Sequence, residues 1–201
     1  MVVKTSTKSA REYRQRVRAE DVAARTERIL HATQTLAGEV PLSDVTLEAV
    51  ARESGASVQT ILRRFASREA LIVSAFEAVD ASAEARLAEA EAGDPARAIR
   101  LLVREYERWG DSLVHLLGQE RAEPLLAAPL ARGRREHEAW VRRVFAEALE
   151  RRDHSDRRRL LAELIVVTDV LSWHHLRRVR RLGARETERA ISEMALALIE
   201  E

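Results

Sequence analysis

The stretch Thr46-Leu-Glu-Ala-Val-Ala-Arg-Glu-Ser-Gly-Ala-Ser-Val-Gln-Thr-Ile-Leu-Arg-Arg-Phe65 reads as two short helices about a tight turn. Residues 46–54 form the first, with Leu47, Val50 and Ala51 inward; residues 58–65 form the second. Gly55 suits a turn position that needs positive φ, and Ser57 is placed to cap the second helix with its hydroxyl. Val50, Ala51, Ile61 and Phe65 can hold the two helices together, leaving Val58, Gln59, Thr60, Arg63 and Arg64 outward. This is the layout of a helix-turn-helix, whose second helix can enter a major groove. Between Ser57 and Arg68 there are three arginines and no acid. Gln can read adenine, Arg can read guanine, and Thr or Val can touch a thymine methyl. Thr46 and Ser67 stand at helix starts, where exposed amides attract phosphate.

Outward from this stretch the chain reads as helices throughout. No Gly or Pro occurs over residues 56–92 and no Pro follows Pro129, and no run of alternating β-branched residues suggests a strand. Residues 21–37, with Ile29, Thr33 and Leu36 on one face, predict a helix before the motif. A long helix is expected from Ser67 to about residue 92, where Gly93-Asp94-Pro95 stops it. Further helices are expected over 95–109, around 113–117, over 129–151, over 155–182 and over 185–199. The domain expectation is a basic flexible leader at 1–20, a helix-turn-helix unit at 21–66, a connecting helix at 67–92 and a helical domain at 93–201.

Composition bounds the chemistry. The chain has 201 residues, 34 Lys+Arg against 33 Asp+Glu and a net charge of +1, with 46% hydrophobic and 33% charged residues. That balance is globular rather than disordered. The absence of cysteine excludes disulfides and cysteine zinc sites and fits a reducing, cytoplasmic setting. Apolar runs are too short to span a membrane. Near-neutrality is a sum of unlike segments: residues 1–18 carry six basic residues against Glu12, whereas residues 81–201 carry 22 basic and 22 acidic residues. A leader with net charge +5 is an arm that can add phosphate contacts or reach a minor groove.

The motif and its surroundings, from Arg28-Ile29-Leu30-His31-Ala32 through Phe65-Ala66-Ser67-Arg68-Glu69-Ala70-Leu71, resemble the TetR (tetracycline-repressor-like) family of one-component transcriptional regulators. Thr168-Asp169-Val170-Leu171-Ser172-Trp173 is similar to the penultimate helix of some members. The resemblance implies an all-α homodimer, with an N-terminal three-helix helix-turn-helix domain and a C-terminal ligand-binding and dimerisation domain. It implies double-stranded DNA with a palindromic operator and a small-molecule effector as partners, and no cofactor. There are departures from the family pattern. Leu62 replaces a tyrosine that contacts phosphate, Arg64 a histidine, and Arg68 a lysine that also meets phosphate; Pro41 and Ala37 alter the turn and the packing after the first helix. The DNA-contact set is then Thr46, Ser57, Val58, Gln59, Thr60, Leu62, Arg63, Arg64 and Arg68.

In the second half, Tyr106, Trp109, His115, His137, Trp140, Asp169, Trp173 and His174 are the candidate ligand-lining residues. Asp169 inside an apolar run needs a partner, which can be an arginine, an internal turn or a ligand. The last two helices are the expected dimer interface, with Leu160, Leu164, Val167 and Leu171 on one stripe and Leu161, Ile165 and Thr168 on another. Catalysis finds no support. His137-Glu138 begins like a zinc-protease motif, but Val141 stands where the second histidine belongs; His174 and His175 point to different faces, so no metal site is expected. There is no phosphate loop and no nucleophile elbow. The expected function is a repressor released from its operator by a small molecule, acting on the nucleoid of a prokaryote. The alternative is a helical dimer that works through protein partners or nonspecific nucleoid binding.

Overall fold

The structure, a computed structural model, describes residues 6–88 and 94–200; the side chains of residues 6–19, 80 and 84 lie outside the description. Among the described residues the chain is helical and has no strand. The first helix, α1, runs unbroken over Ser6–Glu39, so the expected start at Asp21 is corrected: no Gly or Pro interrupts Ser6 to Ala37, and nothing in the covalent chain stops the helix there. Met1 to Thr5, the beginning of the expected leader, lie outside the described residues. A 3-10 turn at Leu42–Asp44 leads to α2 (Leu47–Ser54) and α3 (Val58–Phe65), followed by α4 (Arg68–Leu87). Ile29, Ala32 and Ala37 of α1, Leu42, Val45, Val50 and Ile61 of the motif, and Leu71 and Ile72 of α4 form one core. Gln34 Nε2 donates to the Ala75 carbonyl at 2.9 Å and pins α1 to α4.

The second half opens with α5, Pro95–Gln119, whose start is fixed by Asp94 accepting the Arg97 N–H and by Pro95 in the first turn. Two separate helices were expected here; one helix of 25 residues is found. Gly110, which invites a break on paper, is required for packing. A Cβ there would lie 2.4 Å from Trp173, so glycine lets the buried indole press on the helix backbone.

A 3-10 turn at Pro124–Leu126, α6 (Ala127–Val144) and the single turn α7 (Ala146–Glu150) follow. The predicted continuous helix over 155–182 is also corrected. It is α8 (His154–Val167), a break at Thr168-Asp169, α9 (Val170–His174) and a wide turn at His175–Val179. Asp169 is extended and accepts the Leu171 N–H at 2.8 Å, so it ends one helix and caps the next. The reversal before α10 (Ala184–Glu200) is carried by Arg181 at φ 61°, not by Gly183; Gly183 N–H instead donates to Glu186 of α10. Ile99, Leu102, Val103, Trp140, Phe145, Leu164, Trp173 and Ile191 make the second core.

The two cores meet along α5. Leu116 of α5, Leu126 and Leu130 belong to the core of the first domain. A Cβ at Gly38 would sit 2.3 Å from Ser112 Oγ, so α1 and α5 touch backbone to side chain there. The Leu42 N–H donates to Gln119 Oε1 at 2.8 Å, and His115 Nε2 lies 3.0 Å from the Val40 carbonyl.

Candidate nucleic-acid interface

The geometry of α2 and α3 follows from their caps. Thr46 Oγ1 accepts the Ala49 N–H at 3.1 Å and starts α2; Gly55 ends it in the left-handed region at φ 69°. Ser57 Oγ accepts the Thr60 N–H at 3.2 Å and starts α3. The Ser57 and Thr60 hydroxyls also bond each other at 2.8 Å, so both are engaged in the cap. Ile61 is fully buried, with Val58 and Phe65 half-buried on its side. At 100° per residue this turns Gln59 and Arg63 to the centre of the outward face, with Thr60 and Arg64 on one flank and Leu62 on the other. Gln59, Arg63 and Arg64 are exposed and have no partner among the described residues, which is the condition a base-reading or phosphate-meeting side chain must satisfy. Leu62 is 40% exposed and, with Val58 one turn earlier, gives the helix an apolar edge.

Arg68 is not part of this face. Its Nε donates to the Val45 carbonyl at 2.7 Å and its Nη2 to the Leu42 carbonyl, while Nη1 lies 3.5 Å from Glu69. The guanidinium therefore closes the end of the 3-10 turn and ties it to α4, and it meets these carbonyls rather than standing free on the outward face. Thr46 likewise acts first as a cap. One feature of this region left no trace in the reading of the sequence. Ala66, between α3 and α4, sits at φ 68° without being glycine, and its N–H returns to the Leu62 carbonyl. Ser67 then caps α4 by accepting the Ala70 N–H at 3.1 Å. The local backbone, and after it the Ser67 hydroxyl, hold the Glu69 carboxyl below its usual range.

In the second domain five of the eight ligand candidates gather round the break between α8 and α9. The hub is Thr168, which was not among them. Its hydroxyl donates to the Leu164 carbonyl at 2.7 Å, and so accepts from His137 Nε2 at 3.0 Å. The imidazole is thereby held with its proton on Nε2. Tyr106 O–H donates to the Thr168 carbonyl at 2.9 Å. His137 stacks on Trp140, and Tyr106 leans on Trp173, each pair with ring centroids 6.0 Å apart. Burial lowers the His137 pKa from its ordinary value, against the pull of Asp169; burial and Asp169 together push the Tyr106 phenol far up. Both rings are neutral at neutral pH.

Trp173 is fully buried, and its Nε1 donates to Glu107, which also holds Arg177. It packs the core rather than lining a space. His115 lies at the joint between domains and His174 beside Asp111, both apart from the cluster. Trp109 Nε1 and Trp140 Nε1 are buried donors without an acceptor among the described residues. Two surface clefts, one bounded by Glu27, Arg28, His31 and Glu53, the other by Arg86, Leu101, Arg104 and Arg108, include none of the eight.

The expected interface stripe is corrected in part. Leu160 and Leu164 are 4% and 0% exposed inside the chain's own core, because α6, α7 and α10 pack round that side of α8. Val167 is half-buried. Leu171 is 54% exposed, and the apolar surface beside it comes from Val166 at 64%, Val179 at 57% and Met194 at 40%.

Comparison with known proteins agrees with this geometry. The family model described as bacterial regulatory proteins, tetR family, matches residues 29–75, from the buried face of α1 through α2 and α3 into α4. No match is found among curated proteins. Among solved structures, a transcriptional regulator from Rhodococcus sp. Rha1 superposes with a TM-score of 0.68 at 18% identity, over 87% of this chain and 96% of that one. A structure from Rhodococcus sp. that carries a TetR-family transcriptional regulator designation does so with a TM-score of 0.68 at 17% identity, over 88% and 99%. At such identities the likeness is one of fold, extending beyond the matched segment to both domains. Residues 29–75 match the model of the tetR family of bacterial regulatory proteins, and the chain as a whole shares the all-α fold of these two solved structures.

Proposed function

We propose that the protein is a repressor that binds a palindromic operator as a homodimer and leaves it when a small molecule occupies the second domain. The observation that carries the reading is the outward face of α3, where Gln59, Arg63 and Arg64 stand exposed and unpaired on a doubly capped, core-anchored helix. Val58 and Leu62 add apolar contact with thymine methyls at the edge of that face. Two such helices on a twofold axis match half-sites one duplex turn apart. The second copy packs on the surface of Val166, Leu171, Val179 and Met194.

The effector site is the cluster around Thr168, with Tyr106, His137, Trp140 and Asp169. Its support is the buried indole donor of Trp140, stacked on His137, whose Nε1 lacks an acceptor among the described residues. An effector with a hydrogen-bond acceptor and an aromatic or amphipathic body satisfies that donor on entry. It shifts the balance between DNA-competent and released spacings only by its differential affinity for the two. Such a regulator works in the cytoplasm of a prokaryote, on the nucleoid, and carries out no catalysis.

Selection from random duplexes tests the reading. A palindromic consensus, bound by a dimer with a steep salt dependence, is the expected result. Equal binding to every sequence, or no binding, overturns it in favour of a dimer that acts through nonspecific nucleoid contacts or protein partners.

A further inference from the structure

The outer face of α5 carries four arginines, Arg97, Arg100, Arg104 and Arg108, spaced three and four residues apart and so aligned on one side of the helix. All four are exposed, and among the described residues none has an ion-pair or hydrogen-bond partner through its side chain. The row extends about 16 Å along the axis.

The acids of α5 and its cap that are described are committed elsewhere. Asp94 accepts the Arg97 backbone N–H as the cap of α5. Glu105, nearly buried, is held by both arms of the Arg86 guanidinium at 2.7 Å. Glu107 takes the Trp173 indole and Arg177; Asp111 takes Arg178 in a two-pronged pair. Four like charges on one helical face repel one another, and no described residue pairs with them to offset that.

Between the row and α4 lies a cleft of about 300 Å³, bounded by Arg86, Leu101, Arg104, Glu105 and Arg108. The volume is at the small end of ligand sites. With Arg86 and Glu105 cancelling, the wall presents the two positive charges of Arg104 and Arg108 beside the half-buried Leu101, and Arg100 and Arg97 extend the charge along the helix. The guanidinium fork matches the paired oxygens of phosphate and carboxylate, which a lysine ammonium does not.

We propose that the α4–α5 cleft and its arginine row form a binding site for a small, multiply charged oxyanion, a molecule with two or more phosphate or carboxylate groups. The site is separate from the aromatic cluster around Thr168 and does not depend on the operator reading. Occupancy adds the countercharge that the row lacks and ties α5 to α4.

Calorimetric titration of the full chain at constant ionic strength tests this, with inorganic pyrophosphate, citrate and orthophosphate as probes. Saturable binding of pyrophosphate or citrate at one site per chain is expected, with orthophosphate at least fivefold weaker because it spans fewer arginines. The variant R104Q/R108Q is expected to weaken binding at least tenfold. R158Q/R180Q, which removes two exposed arginines elsewhere, is expected to leave it unchanged. Tighter pyrophosphate than citrate assigns phosphoryl ligands to the site, and the reverse assigns polycarboxylates. Unsaturable binding, or equal loss in both double variants, overturns the proposal. So does unchanged anion binding in R104Q/R108Q together with weakened DNA binding, which makes the row a nucleic-acid contact instead.

Discussion

Arg64 and Arg68 lie one helical turn apart in number and serve opposite ends. Arg64 is exposed and unpaired on α3, whereas the Arg68 guanidinium is spent on the carbonyls of Leu42 and Val45. Their substitutions should separate. Arg63→Ala or Arg64→Ala should weaken binding to a selected operator by about 1–3 kcal/mol where the side chain meets a base, with the melting temperature unchanged. Quantitative binding over a salt series checks this; unaltered affinity and slope in both variants would remove α3 as the reading helix. Arg68→Met should instead lower stability by about 1.5–3 kcal/mol, the range for hydrogen bonds to a charged group, and leave the salt slope of DNA binding as it was. Denaturant unfolding beside the same salt series decides it. Resemblance to the family pattern, where a lysine stands, made Arg68 a phosphate contact on paper. What it touches is set by the return of the 3-10 turn over the start of α4, and no local pattern encodes that proximity.

At the scale of elements, caps and periodicity made α2, the turn at Gly55 and α3 legible within a residue of their ends. They are local devices that operate over three or four residues. The long apolar run over 160–171 misled for the same reason. Its periodicity suits one buried helix, but the Thr168 side chain bonds back to Leu164 while Asp169 caps forward to Leu171, and the chain breaks between them. Gly110 misled in the other direction, since its purpose is contact with Trp173, 63 residues away in the chain.

Gly110→Ala should cost about 1–3 kcal/mol through overpacking against that indole, read by thermal unfolding and by the Trp fluorescence of the folded state. The break at Thr168 also makes a pH prediction. His137 is buried, and its folded pKa lies below the ordinary 6.5 of the unfolded imidazole. In the window between the two values the unfolded chain binds the extra proton. The stability contribution is therefore full above about 6.5 and is lost as pH falls through the window. Melting temperature should drop between about pH 7.5 and about pH 5.5, and His137→Gln should flatten that dependence. An equal slope in the variant would place the titrating group elsewhere.

Across the whole molecule, the two domains share α5. Its far end enters the core around α2 and α3 through Leu116, and Gln119 accepts from the fully buried Leu42 N–H. The long helix α4 therefore has company as a link. A rearrangement at the Thr168 cluster can reach the 3-10 turn before α2 along α5, since Tyr106 and Gln119 lie on the same helix. Gln119→Ala should leave the Leu42 amide without an acceptor at a cost of about 1–3 kcal/mol. Hydrogen exchange should then speed up at Leu42 and Asp44 while the α9–α10 region keeps its protection. Uniform acceleration would show that the joint is not a local one.

The sequence by itself determined the helical class, the caps, the turn at Gly55 and the outward polar face of α3. These depend on neighbours within one or two turns, where residue type and spacing are nearly sufficient. Tertiary structure alone decided which arginine is a clamp, which leucines are core rather than interface, why Gly110 stays helical, and that Thr168 is the hub of the aromatic cluster. Each of those outcomes rests on a contact between segments distant in the chain. Burial and hydrogen-bond satisfaction are properties of the packed whole, so the same side chain takes a different role according to what the fold lays against it.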